Sequence, residues 1–247
     1  MIVLALDTAT PAVTAGVVDR TDDSVVERSV HVVHDPRKHA ELLMPGVLVA
    51  CAAAGVALPE VEAVVVGAGP GPFTGLRVGM VTAAALGDAL GVPVHAVCTL
   101  DAIAADVVAA EVVAAEVVAA EVVAAEVVVA DMVAADAGGP LLVVTDARRR
   151  EVYWAAYDAS GVRVDGPHVE SPAALAERGL PVAAAAGGSA AGLGWPVREP
   201  AAPSPRGLVA VAAQALRAGV EPGPLEPLYL RRPDAVEPGA RKKVSTG

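Results

Sequence analysis

The sequence predicts an α/β protein built from two duplicated lobes of the βββαβα type. Three observations carry this. The first half orders its segments as three strands, a helix, a strand, a helix and a strand, and the second half repeats three strands, a helix and a strand. The length of 247 residues suits one large domain or two small lobes. Apolar residues make up 54% of the chain, yet its aromatics are only two Trp, three Tyr and one Phe. The cores are therefore built from Ala, Val and Leu.

The elements follow in order. Residues 2–6 are a short apolar run that reads as a buried strand, and 13–18 and 25–33 follow it across the turn-like 19–24. Residues 37–54 read as a helix, with Pro45 kinking it or sitting in its first turns. A strand at 61–66, a helix at 74–90 and a strand at 94–97 complete the first lobe, bounded at 1–105. Gly138-Gly139-Pro140 opens a second lobe, bounded at 138–205, with strands at 141–145, 152–157 and 162–169. Ser171 caps a short helix with Pro172 at its first position, and 182–186 is a further strand before the loop 187–194. A final helix over 206–220, clearest at 208–218, is expected to pack back on the first lobe. The Pro-rich tail 221–247 turns basic at Arg231, Arg232, Arg241, Lys242 and Lys243.

Between the lobes lies a tandem repeat. An acid recurs every five residues from Asp106 through Glu111, Glu116, Glu121, Glu126 and Asp131 to Asp136, separated by VVAA with slight variation. In a helix each five-residue step turns about 140°, which scatters the acids around the axis and leaves no apolar stripe. In a strand the odd period alternates faces. A stacked pentapeptide coil wants one large inward residue, which VVAA lacks. Ala and Glu favour the helix, expected over 106–137.

The repeat also governs the charge. There are 29 acids and 18 bases, a net charge of −11. Residues 102–137 hold seven acids and no base, so the rest of the chain has 22 acids against 18 bases, or −4. Bulk charge therefore excludes tight nucleic-acid binding by the lone chain but leaves local basic patches in play. Two cysteines, Cys51 and Cys98, are too few for a disulfide framework or a four-cysteine zinc site, and reduced cytoplasmic thiols are expected. Residues 1–6 lack a basic leader region. The uncharged stretch 42–59 contains Pro45, Gly46 and Gly55 and reads as a buried helix; no membrane association is expected.

The strongest local motif runs from Gly67 to Arg77, GAGPGPFTGLR, between a strand and a helix. Phosphates often sit at such junctions. The dinucleotide pattern fails because Pro72 and Thr74 stand where glycine is required, and the Walker pattern fails for want of lysine. A tight turn with close backbone packing is the competing reading. Asp7-Thr8-Ala9-Thr10 ends the first strand, where an acid is commonly a turn former. His31, His34 and His39 share no face that would bind a metal, and no GxSxG is present. No catalytic constellation, metal site or cofactor site is expected. Asp146 to Trp154 places Arg148, Arg149 and Arg150 at a hairpin beside Tyr153, Trp154 and Tyr157. Nucleic-acid contact and an exposed hairpin tip are both compatible with that cluster.

Taken together, residues 2–10, the segment HAELLMP at 39–45, the glycine motif at 67–79, DARRREVYWAAY at 146–157 and PLYLRRPDA at 227–235 resemble the TsaB (YeaZ) family, over nearly the whole chain except the repeat. The resemblance implies an actin-like (ASKHA) two-lobe fold, in which an acid and hydroxyls at the place of Asp7-Thr8-Ala9-Thr10 approach metal and phosphates in the ATPases. It implies a non-catalytic subunit of the machinery that makes threonylcarbamoyladenosine in tRNA. The related catalytic subunit, TsaD, carries an HxxxH metal pair; Thr99 and Ile103 stand at those positions here. Its glycine-bearing second phosphate loop corresponds to residues 145–148, which contain no glycine. The implied partners are a TsaD-type subunit, a TsaE-type ATPase through the complex and tRNA indirectly, with a homodimer when alone. The first two helices of the first lobe are the implied interface, and Leu42, Leu43, Val47, Met80 and Ala84 are the expected contacts. Gly69, Pro70, Gly71, Phe73, Thr74, Gly75 and Arg77 form the motif loop, and Arg148, Arg149 and Arg150 are candidate tRNA contacts. The alternative is an autonomous ATP-using or metallopeptidase-like enzyme of the same fold.

Overall fold

The computed structural model describes residues 1–22, 24–124 and 139–231. Strands β1 (Ile2–Asp7), β2 (Ala12–Arg20) and β3 (Val25–His34) form an antiparallel meander. Helix α1 (His39–Ala54) leads to β4 (Ala63–Gly67), and α2 (Phe73–Leu90) leads to β5 (Val94–Val97). The sheet order is β3-β2-β1-β4-β5, with β4 and β5 parallel to β1.

The second sheet repeats this order with β6 (Leu141–Asp146), β7 (Val152–Tyr157), β8 (Arg163–Glu170), β9 (Ala184–Ala186) and β10 (Val197–Arg198). It reads β8-β7-β6-β9-β10. The antiparallel and parallel pairings fall at the same places as in the first. The intervening helices have shrunk. Helix α4 (Pro172–Glu177) stands where the first lobe has α1, and a loop stands where it has α2.

Two longer helices lie between the sheets. Helix α3 (Thr99–Ala124) follows β5 but packs Leu100, Ile103 and Val107 on the second sheet. Helix α5 (Pro205–Ala218) follows β10 but packs Leu208, Val209 and Leu216 on the first. Each lobe thus closes its core with the helix that follows the other lobe's last strand.

The strand period explains the layers. Leu4 and Leu6 of β1 face α1 and α2, while Val3 and Ala5 face α5. In β6, Leu141 and Val143 face α3, while Leu142 and Val144 face α4. Each such side chain, fully buried, contributes roughly 1.5–3 kcal/mol of apolar transfer free energy. The scarce aromatics are spent in the second lobe, where Trp154 and Tyr157 are its largest fully buried side chains.

Several boundaries differ from expectation. Helix α1 starts at His39 rather than 37, because the chain is still turning at Asp35, whose carboxylate accepts the Arg37 N–H. The strand expected at 182–186 contracts to Ala184–Ala186, and the two-residue β10 was not anticipated. Such a short strand carries no periodic signal. Helix α3 carries the first pentads; Glu126, Asp131 and Asp136 lie outside the described residues, as do Arg232, Arg241, Lys242 and Lys243. Among the described residues, no helix is long and apolar enough to cross a membrane.

Candidate functional site

The glycine motif is shaped by what it packs against. The α2 N-terminus lies directly on the turn after β1. A Cβ at Gly71 would overlap the Ala9 carbonyl, one at Gly75 the Thr8 carbonyl, and one at Gly79 the Thr8 hydroxyl. The Thr8 Oγ1 donates to the Gly75 carbonyl at 2.7 Å. Pro70 follows a cis peptide bond from Gly69. The motif therefore joins β1, β4 and α2 at close range, as the backbone-packing reading required.

Asp7 sits beneath this loop and is fully buried. Its Oδ1 accepts the Ala9 N–H at 2.8 Å, and its Oδ2 accepts the Thr99 hydroxyl at 2.6 Å. Thr99 Oγ1 in turn accepts the Gly69 N–H at 3.2 Å, and the Thr99 N–H donates to the Gly69 carbonyl at 2.8 Å. Burial pushes the Asp7 carboxyl up to about 6, while hydrogen bonds from Thr99, Ala9 and Thr10 and the nearby His39 pull the other way. His39 Nε2 donates to the Thr10 carbonyl at 3.0 Å. Ile103, the other position matching the metal pair, is buried in the second-lobe core. The Asp7 carboxylate is thus committed to holding the glycine loop to the start of α3. No group of three potential metal ligands occurs among the described residues.

The first two helices present a different surface. Leu43, Val47 and Met80, expected as partner contacts, are buried in the chain's own first core and no partner can reach them. That expectation is corrected. Helix α1 is apolar nearly all round, so periodicity could not tell its inner face from its outer one. The outer face carries Leu48, Val49 and Val81, which are 54%, 50% and 67% exposed. Ala84 is exposed beside Val81, and Leu42 is half-buried at the margin.

The arginine hairpin projects from β6 and β7. Arg148, Arg149 and Arg150 are all exposed and all adopt left-handed backbone, with φ of 62°, 51° and 63°. The Asp146 carboxylate accepts the Arg148 N–H at 2.8 Å, and the Glu151 N–H donates to the Arg148 carbonyl at 3.0 Å.

The segment 224–231 ties these parts together, a role that no sequence pattern announced. The Leu228 N–H donates to the Ala68 carbonyl of the glycine loop at 2.9 Å, and Leu225 and Leu228 pack on the first core. Tyr229 meets Phe73 with ring centres 5.1 Å apart, and Arg77 Nε donates to the Tyr229 hydroxyl at 3.2 Å. Leu230 packs on the second core. Arg231 donates to the Ala147 carbonyl at 3.0 Å and pairs with Glu151 at 3.0 Å. This strap joins the motif loop of one lobe to the hairpin of the other.

Behind the strap runs a groove of about 490 Å³, lined by Cys98, Asp101, Arg163 and Glu226 among others. Asp101 accepts the Tyr157 hydroxyl at 2.8 Å and pairs with Arg163 at 3.1 Å. Burial pushes the Cys98 thiol up to about 11, which disfavours the thiolate. Asp101 precedes Asp106 by five residues, so the acid spacing extends backward to the first turn of α3. Asp106 accepts both the N–H and hydroxyl of Ser204, the cap of α5, and Glu111 pairs with Arg198 at 3.6 Å. The first three acids at this spacing each anchor a different element.

These features define a two-lobed actin-like α/β protein with its first-lobe acid engaged and an apolar helix face exposed. Residues 34–120 match the family model described as TsaD: tRNA N6-adenosine threonylcarbamoyltransferase. An uncharacterized protein of Mycobacterium tuberculosis is 48% identical over 239 residues, covering 94% of this chain and 93% of that protein. The tRNA threonylcarbamoyladenosine biosynthesis protein TsaB of Escherichia coli is 29% identical over 164 residues, covering 66% of this chain and 58% of that protein. The solved structure of YeaZ from Pseudomonas aeruginosa superposes with a TM-score of 0.66 at 26% identity, covering 93% of this chain and 99% of that one. The chain belongs to the TsaB (YeaZ) family.

Proposed function

We propose that this chain works in the biosynthesis of threonylcarbamoyladenosine in tRNA as a supporting subunit without a reaction centre of its own. It docks on a TsaD-type catalytic subunit through the outer face of α1 and α2. It reaches a TsaE-type ATPase and the tRNA through that complex. The observation that carries this reading is the exposed apolar ridge of Leu48, Val49, Val81 and Ala84, on a lobe whose inner helix faces are already filled. Burying the remaining surface of Leu48, Val49 and Val81 supplies roughly 1 kcal/mol each, enough to seed an interface. The engaged Asp7 and the apolar surroundings of Ile103 support the non-catalytic part. The same ridge serves a homodimer when the partner is absent.

Depletion of the chain in its native cell tests the reading. The modified nucleoside, measured by mass spectrometry of digested tRNA, falls if the proposal is right. Unchanged modification in fully depleted cells contradicts it.

A further inference from the structure

We infer that the strap and the arginine hairpin together form a binding ridge for RNA with unpaired bases. The ridge begins at Phe73 and Tyr229, which are 43% and 41% exposed despite their ring contact. Arg77 lies over the Phe73 ring with its guanidinium carbon 3.7 Å from the centre. Two residues along the strap, about 7 Å of extended chain, Arg231 binds the Ala147 carbonyl at the base of the hairpin. Arg148, Arg149 and Arg150 continue it outward.

The hairpin backbone gives the strongest argument. A left-handed residue other than glycine costs roughly 1–2 kcal/mol, and Asn or Gly would relieve it. Three successive arginines occupy such positions. Closing the turn alone is met by Asn or Gly at such positions, so three arginines there set three cations at the tip of the hairpin.

The chemistry then fits one class of ligand. The ridge gathers five arginines (Arg77, Arg148, Arg149, Arg150 and Arg231) on a chain whose net charge is −11, and among the described residues Asp146 pairs with Arg148 and Glu151 with Arg231. Guanidinium groups bind phosphates, and exposed rings stack on bases of any sequence. The ridge differs in chemistry from the aliphatic ridge of Leu48, Val49 and Val81, which offers neither, and adjoins it on α2, where Arg77 stands one helical turn before Val81. RNA as the class of ligand follows from the charge and the rings; that the RNA is a tRNA rests on the function proposed above.

The test uses the full chain and a fluorescein-labelled anticodon stem-loop, read by fluorescence anisotropy across salt concentrations. A fully paired RNA of equal length is the comparison. Asn tolerates left-handed backbone, so Arg148→Asn, Arg149→Asn and Arg150→Asn combined keeps the turn while removing the charge. Wild type binds the stem-loop weakly but measurably at about 50 mM salt, and more tightly than the duplex. The triple variant binds at least tenfold more weakly, with a log–log salt slope shallower by about 2. Tyr229→Leu binds about tenfold more weakly at unchanged slope. A wild type that does not bind, or variants with wild-type affinity and slope, overturn the inference. So does a triple variant that loses a protein partner while RNA binding is unchanged. Arg77→Gln, at an exposed helix position, gives a second reading should the hairpin variant unfold. Ridge-dependent binding with normal modification in depleted cells keeps this inference and removes the proposed function; the converse result separates them the other way.

Discussion

Replacing Asp7 with Asn is expected to change how stability depends on pH. The wild-type carboxyl is fully buried and titrates at about 6, against an ordinary value of 3.8. Its folded value is raised, so the folded chain binds the proton more tightly than the unfolded chain does. The associated stability is fully present below about pH 3.8 and is lost as pH rises through about 6. A shift of about two units corresponds to about 3 kcal/mol at 1.36 kcal/mol per unit. Asn at position 7 keeps an acceptor for the Ala9 N–H and offers an amide hydrogen to Thr99 Oγ1, but it cannot ionise. The measurement is urea unfolding of both proteins from pH 4 to 7.5. Taking the difference between them removes every other titrating group. The variant gains stability relative to wild type by about 2 kcal/mol or slightly more across that range, the remainder of the change lying below pH 4. Parallel stability curves would refute the claim that ionising Asp7 in place is costly.

Three further outcomes follow from the packing. Gly75→Ala drives a methyl group into the Thr8 carbonyl and costs about 2 kcal/mol or more, read from the urea midpoint. Asp106→Ala strips the Ser204 N–H and hydroxyl at the α5 cap of their acceptor, and costs about 1–3 kcal/mol in the same assay. Arg231→Gln removes the ion pair to Glu151 from a partly exposed site and lowers stability by about 1 kcal/mol or less, while hydrogen exchange accelerates at residues 224–231.

The fold was largely legible because its strands are short, apolar and bounded by turn residues. The two meanders, β4, β5 and both long first-lobe helices appear close to where the pattern puts them. The site was less legible, for definite reasons. Choosing among Leu43, Val47, Leu48 and Val49 requires knowing which side of α1 meets the sheet, and a helix without a polar stripe does not say. Asp7 with Thr99 and Arg77 with Tyr229 are pairs 92 and 152 residues apart, formed by topology alone. The pentad spacing scatters the acids around the helix without marking an inner one, yet Asp106 is a half-buried cap partner with its carboxyl pushed up by burial. What turned it inward was the crossing of α3 and α5, which no local period records.

The central claim is that the outer face of α1 and α2 docks on a TsaD-type subunit. Its most direct measurement is the affinity of the purified full chain for that subunit by titration calorimetry, with wild type beside Val81→Glu. Val81 is 67% exposed, so the substitution leaves the monomer folded, which circular dichroism checks. A carboxylate buried in an apolar interface costs about 2 kcal/mol or more, so the account predicts binding at least about 30-fold weaker. Equal affinity for both proteins, or a wild type that does not bind the subunit at all, contradicts it.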